Sequence, residues 1–132
     1  INRSEISVLP DEVFVIPFLQ IEELSTTLRD YTYLIFNTRY DGWGMVLVEA
    51  MASGMVCIAS AKSGAARDLI VDGHNGFLVS DPNSAAELCE VVTRVCGLAP
   101  TNLFHVRSAA VESVAHLTFR NTAARFLSVV QA

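Results

Sequence analysis

RYDGWGMVLVEAMASGM, residues 39–55, passes within a few positions from a loop with two glycines to an apolar, helix-forming segment. Gly42 and Gly44 flank a tryptophan, and Glu49 is the single charged residue of the helical part. Glycine lets a backbone approach a ligand closely, and the first amides of a helix have no partner inside the helix. The stretch therefore predicts a loop-to-helix junction near Gly44 that attracts an anion, phosphate above all.

Short apolar runs alternate with helical segments on both sides of this junction. Residues 13–18 (VFVIPF), 33–38 (YLIFNT), 56–60 (VCIAS) and 76–80 (GFLVS) have the composition of strands. They are continuously apolar, as expected for strands that are covered on both faces. The pattern predicts an α/β fold with a parallel sheet, and ligands bind such sheets in the loops after the carboxyl ends of the strands.

The chain becomes helical from Asp81 onward. Asp81 or Asn83 is the expected N-cap of a helix that ends at Gly97, and two further helices are expected after Pro100 and from Leu117. We expect residues 1–132 to belong to a single domain, in which residues 81–132 form a helical tail.

Composition excludes several classes of protein. The 132 residues are 52% hydrophobic, which predicts one folded domain. A net charge of −5, with nine Lys and Arg scattered singly, argues against nucleic acid as a partner. No apolar run reaches the ~18 residues of a membrane span, so no transmembrane segment is expected. Three cysteines at no metal-like spacing indicate a reducing compartment. We expect a cytoplasmic location, or a peripheral position at the membrane for the full-length protein.

Two interpretations of the junction stay open on the residues alone. In one, the amides of Gly44, Met45 and Val46 hold a phosphate. Glu49, on the same helix face as Val46, then accepts hydrogen bonds from ribose hydroxyls, and together these groups describe a nucleotide site. In the other, the glycines shape a tight turn, Trp43 is a core aromatic residue and Glu49 is a solvated helix residue.

Several motifs in order resemble the nucleotide-sugar domain of retaining glycosyltransferases of the GT-B architecture, the group that includes glycogen synthases and many polysaccharide-assembling enzymes. The family signature of an acid, Gly-aromatic-Gly, an apolar run and a Glu is matched at residues 41–49, and its Ala-Met-Ala-x-Gly continuation at residues 50–54. The Gly-Gly-x-x-Glu and Asp-Gly-x-Asn-Gly motifs are matched at residues 64–68 and 72–76. The resemblance covers residues 13–92 and continues more weakly into the tail.

The resemblance implies an incomplete Rossmann-like parallel sheet with flanking helices, part of the C-terminal donor-binding domain. It implies that Glu49 binds the ribose of the donor and that Asp41 lies beside the donor sugar, the two being the candidate catalytic residues. The donor-binding residues that it implies, besides Glu49, are Gly42, Trp43, Gly44, Met45 and Val46. A nucleotide sugar is the expected substrate, and neither a metal nor another cofactor is expected.

Departures from the family pattern shape the remaining expectations. Asp41 is one methylene shorter than the usual Glu, Ala65 stands for the second Gly, and the Arg and Lys that grip the diphosphate in the family are unmatched. The opening strands of the domain are also unmatched, so we expect a fragment. In the doubly wound order the unmatched first strand would lie between the first two strands of this chain and the rest, so we expect a sheet that is incomplete, rearranged or completed by another chain.

We expect this fragment to self-associate, to transfer no sugar alone and to bind nucleotide weakly. The parent protein is expected to transfer a sugar with retention to a saccharide or lipid-linked acceptor held by a missing N-terminal domain. The alternative is a non-catalytic nucleotide- or phosphate-binding interaction module.

Overall fold

The computed structural model describes residues 13–130. In this part of the chain the sheet has three parallel strands, β1 (Tyr33–Phe36), β2 (Val56–Ser60) and β3 (Phe77–Val79), in the spatial order β1-β2-β3. Six helices accompany them: α1 (Ile21–Arg29), α2 (Met45–Ala52), α3 (Gly64–Leu69), α4 (Ala85–Cys96), α5 (Pro100–Val114) and α6 (Phe119–Val130). The predicted α/β class with an incomplete parallel sheet is confirmed.

Strand β2 is the centre of the core because both of its faces are covered. Cys57 and Ala59 pack into a cluster with side chains of α2, α3 and α5. Val56 and Ile58, which alternate with them, pack into a second cluster with side chains of β3, α4 and α5. Burial raises the pKa of the Cys57 thiol to about 12, since an ionised thiolate would lose its hydration there. The continuous apolar run that predicted this strand thus reflects burial on two sides.

The strand predicted at residues 13–18 is wrong. Residues 13–20 form no strand, and Phe14 and Phe18 are 84% and 88% exposed. A strand needs a neighbouring backbone to bond with its amides and carbonyls, and the described part of the chain provides none for this segment. The segment is apolar as predicted, but the prediction also required a neighbouring strand to pair with it.

The expected gap after the first two strands is also wrong. Tyr33 pairs with Val56 and Phe36 pairs with Ala59, so β1 lies directly beside β2. Direct pairing satisfies the β2 backbone on that side and leaves β1 as an edge strand. Ile35 on this edge is 52% exposed.

The N-cap of helix α4 lies one residue after Asn83 and three residues after Asp81, the two predicted N-caps. This N-cap is Ser84, whose hydroxyl accepts from the Glu87 amide at 3.1 Å. The Asp81 carboxylate accepts from the Asn83 amide at 3.0 Å, so the two predicted caps form a turn with each other. The Glu87 carboxylate accepts from the amides of Ser80 (2.6 Å) and Asp81 (2.9 Å), and these bonds lower its pKa. The predicted end at Gly97 is confirmed.

The helical tail divides into packed and unpacked parts. Val91 and Val95 of α4 and Val106 of α5 enter the core, whereas α6 has no buried residue. The last helix was predicted to end at residue 132, and residues 131–132 lie outside the described part of the chain. Among residues 13–130, no helix combines the length and the apolar character that crossing a bilayer requires.

Candidate functional site

The junction at residues 39–44 lies at the carboxyl edge of the sheet, where the segments after parallel strands meet. It follows β1, and an isolated parallel bridge joins Asp41 to Ser63 in the segment that follows β2. The start of α2 and the start of α3 therefore lie side by side.

The first turn of α2 presents unpaired backbone donors. Gly44 is the N-cap, with φ 95° and ψ 61°, and the Leu47 amide bonds to its carbonyl at 3.0 Å. Within residues 13–130, the amides of Gly44, Met45 and Val46 have no hydrogen-bond partner. The positive end of the helix dipole adds to these three donors, so an anion is favoured at this position.

The fold requires glycine at only one of the two glycine positions of the junction. At Gly44 an added Cβ would lie 2.7 Å from the Ser63 hydroxyl and 3.2 Å from the Phe36 ring, at a positive φ. At Gly42 an added Cβ would meet nothing within 4 Å, and the φ is not positive. The fold requires glycine at position 44, whereas Gly42 leaves bare backbone on an open side.

The junction is bonded to the start of α3 through Trp43. The Trp43 carbonyl accepts from the Ser63 hydroxyl at 2.8 Å and from the Ala65 amide at 2.6 Å. The indole Nε1 donates to the Asp68 carboxylate at 3.1 Å. Trp43 is 36% exposed, so the interpretation of Trp43 as a core aromatic residue is wrong.

The two candidate carboxylates differ in their surroundings. Asp41 is half-buried, and its Oδ1 accepts from the Trp43 amide at 3.1 Å, so one of its oxygens braces the loop. Glu49 is half-buried and its carboxylate has no hydrogen bond or ion pair within residues 13–130. Glu49 lies on a cavity of about 270 Å³ between α1 and α2, which it shares with Leu24, Ser25, Leu28, Arg29, Ala52 and Ser53.

The remaining predicted donor-binding residues lie at the same helix end. Met45 is 59% exposed and Val46 is half-buried. The basic residues nearest to the junction, Arg39, Lys62 and Arg67, are exposed, and none has an ion-pair partner in the described part of the chain.

Three polar contributions at this edge escaped the sequence analysis. Ser63 is fully buried, and its hydroxyl donates to the Trp43 carbonyl of the loop. Asp68 carries no local signal of its pairing with Trp43, which is 25 residues away. Asn37 donates to the Pro82 carbonyl at 3.0 Å and so links the segments after β1 and β3, while its buried Oδ1 has no hydrogen-bond partner in the part of the chain that the structure describes.

A second cavity, of about 420 Å³, lies at the opposite edge of the sheet, between the turn before β3 and α5. His74, His105 and Glu112 lie on it. Within residues 13–130, no three His, Cys, Asp or Glu side chains are arranged to hold a metal ion.

Comparison with known proteins places these features in a family. The model of the family "Glycosyl transferases group 1" matches residues 2–99. An uncharacterized glycosyltransferase of Methanocaldococcus jannaschii is 34% identical over 88 residues, which is 65% of this chain and 23% of that protein.

Solved structures agree with the fold. The C-terminal domain of LpcC, a glycosyl transferase group 1 family protein from Francisella tularensis, has a TM-score of 0.66 and 26% identity, over 76% of this chain and 50% of that one. Anabaena HepE in complex with UDP-glucose has a TM-score of 0.65 and 25% identity, over 81% of this chain and 30% of that one. Sucrose-phosphate synthase from Thermosynechococcus elongatus shares the fold, with a TM-score of 0.80 and 24% identity, over 92% of this chain and 30% of that one.

The chain thus spans between about a quarter and a half of the length of these relatives. The family model nevertheless covers the sheet, the junction and α1 to α4. The chain belongs to the glycosyl transferases group 1 family.

Proposed function

We propose that this chain supplies the donor-binding residues of a glycosyltransferase that moves a sugar from a nucleoside diphosphate to an acceptor with retention. The observation that carries the proposal is the unpaired amides of Gly44, Met45 and Val46 with the unpaired carboxylate of Glu49 following on the same helix. Family membership and the UDP-glucose complex of HepE support it.

In this proposal the donor lies along α2. The diphosphate accepts hydrogen bonds from the amides at the helix start, and the helix dipole stabilises its charge as the bond to the sugar breaks. Glu49 lies four residues beyond Met45, about 6 Å along the helix axis, so a ribose can reach it while the diphosphate stays at the helix end. The cavity between α1 and α2 then receives the nucleoside.

Glu49→Gln in the full-length protein tests the ribose assignment. Glutamine keeps one acceptor oxygen but loses the charge and the second acceptor, so at least one of the two bonds from the ribose hydroxyls to the carboxylate is lost. A hydrogen bond that involves a charged group contributes about 1.5–3 kcal/mol, which corresponds to roughly a 10- to 150-fold loss of donor affinity. The measurement is calorimetric titration with uridine, guanosine and adenosine diphosphates. Glu90→Gln, at an exposed acid of α4, is the matched control and should bind as the wild type does. Unchanged affinity in a folded Glu49→Gln protein would sink the assignment.

Asp41→Asn separates turnover from binding. The asparagine carbonyl can still accept from the Trp43 amide, so the loop should keep its shape. Because the carboxylate is expected beside the donor sugar, turnover should fall more than nucleoside diphosphate affinity. Equal losses of both would count against a role at the sugar.

A non-catalytic nucleotide- or phosphate-binding module is the second candidate. The observation that favours it is that the Arg and Lys that grip the diphosphate in the family are unmatched in this sequence, so the described junction offers backbone amides and the exposed Arg39, Lys62 and Arg67 in their place. Release of nucleoside diphosphate from donor and acceptor, measured on the full-length protein, distinguishes the two functions. Binding without release would support the module, and release would support the transferase. The proposal also holds that residues 1–132 alone transfer no sugar.

A further inference from the structure

The carbonyl of Trp43 fixes the direction of the next amide. Two donors from the start of α3 hold this carbonyl, the Ser63 hydroxyl at 2.8 Å and the Ala65 amide at 2.6 Å. The carbonyl of Trp43 and the amide of Gly44 belong to one planar peptide unit, which is trans here, so they point in opposite directions. The N–H of Gly44 therefore points away from α3.

Two further contacts from α3 hold Trp43 and the backbone around it. The Asp68 carboxylate accepts from the indole of Trp43 at 3.1 Å. A Cβ at Gly64 would lie 2.9 Å from the Gly42 carbonyl and 3.2 Å from the Trp43 Cα, so the backbones are in close contact. The opposite side of the loop is open, because a Cβ at Gly42 meets nothing within 4 Å.

Ser63 cannot contact a donor itself. It is 0% exposed and its hydroxyl donates to the Trp43 carbonyl. Asp68 is exposed, but one of its oxygens is engaged by the indole. Ser63 can therefore affect the donor only through the loop, and the bonded oxygen of Asp68 acts on the same loop.

We infer that Ser63 and Asp68 are positioning residues that hold the Trp43–Gly44 peptide with its N–H directed at the diphosphate of the donor. This inference rests on the proposed function. It assigns a purpose to the Gly44 amide, which has no partner within residues 13–130. An unpaired amide at a closely packed residue is costly unless a ligand or water completes it.

The test compares two ligands on the full-length protein: a nucleoside diphosphate and the same nucleoside without phosphate. The held amide serves only the diphosphate, so Ser63→Ala should weaken binding of the diphosphate about tenfold (about 1.4 kcal/mol) and leave nucleoside binding unchanged. General damage to the fold would weaken both ligands alike. Equal losses, or no loss, in Ser63→Ala would overturn the role of Ser63.

Asp68 gives a second test at an exposed position, where substitution does not endanger folding. Asp68→Leu removes the acceptor and should weaken diphosphate binding about threefold, whereas Asp68→Asn keeps an acceptor and should bind as the wild type does. In a Trp43→Phe background, Asp68→Leu should have no further effect, since the indole N–H is already absent. An Asp68→Leu effect that persists in this background contradicts the role of Asp68.

Failure of this inference is distinguishable from failure of the proposed function. If Glu49→Gln loses donor affinity while Ser63→Ala and Asp68→Leu do not, the donor site stands and the positioning role is wrong. If the wild-type full-length protein binds no nucleoside diphosphate, both the proposed function and the positioning role are wrong.

Discussion

Gly44→Ala should lower the free energy of unfolding, whereas Gly97→Ala should not, because, of the two, only Gly44 has a positive φ and close neighbours around an added Cβ. Gly44 has φ 95°, a backbone conformation that costs an L-residue about 1–2 kcal/mol. The new Cβ would also lie 2.7 Å from the Ser63 hydroxyl and 3.2 Å from the Phe36 ring. Ser63 cannot move aside without losing its bond to the Trp43 carbonyl, so overpacking adds about 1–3 kcal/mol.

One effect opposes these costs. Alanine has less freedom than glycine in the unfolded chain, which favours folding by about 0.4–1 kcal/mol. The net expectation is a loss of about 2–4 kcal/mol, a large part of the about 5–15 kcal/mol that keeps a domain folded. At about 2 kcal/mol per M of urea, the unfolding midpoint should fall by about 1–2 M.

The assay is equilibrium unfolding of the 132-residue chain in urea, followed by the fluorescence of Trp43, the single tryptophan of the sequence. Gly97→Ala is the matched control. Gly97 has φ −84°, and its added Cβ would lie 3.4 Å from the Thr93 carbonyl, an ordinary contact. This control should keep or slightly raise the midpoint. The reasoning is refuted if the two variants unfold at the same urea concentration.

Four further predictions concern the rest of the molecule. Because burial raises the pKa of Cys57 to about 12, a thiol reagent should modify two cysteines in the folded chain and all three in denaturant. The same shift means that the stability due to burying the neutral thiol is present below pH 9.0 and is lost as the pH rises toward about 12. Hydrogen bonds from two backbone amides lower the pKa of Glu87, so these bonds contribute to folding stability above the ordinary pKa of Glu87 and lose that contribution as the carboxylate is protonated in acid. Between about pH 5 and pH 3 the wild type should therefore lose more stability than Glu87→Gln does. Finally, the chain should self-associate in sedimentation velocity runs, and replacing the exposed Phe14 and Phe18 by Ser should reduce this association.

Local signals predicted the parts of the fold that local physics determines. The run at β2 was recognised because its side chains are apolar on both faces, and both faces are buried. The start of α2 was recognised because two glycines precede an apolar helix-forming segment, and Gly44 is the N-cap of that helix. The N-cap Ser84 had a signal that went unused, since Ser84 and Glu87 have the spacing of a capping box.

Non-local pairing could not be predicted in the same way. Whether residues 13–18 form a strand depends on a neighbouring backbone, which no periodicity within the segment reveals. Sequence spacing likewise cannot predict that Trp43 bonds to Asp68, or that Asn37 bonds to Pro82, 45 residues away. The sequence predicted where the junction lies and which of its residues could meet a ligand. The hydrogen bonds that hold the junction join residues far apart in the chain, so only the folded structure shows them.

The two ends of the proposed donor site therefore differ in how firmly they are built. The phosphate end is held by Ser63 and Ala65, both fully buried, at the start of a helix that packs in the same core cluster as β2. The nucleoside end is lined in part by α1, whose described side chains are exposed or half-buried and which follows the exposed segment 13–20. A cavity wall with little core contact opens locally at low free-energy cost, whereas a loop bonded to buried residues does not. The phosphate end is thus preorganised by the core, and the affinity of the nucleoside end depends on how α1 is held in place.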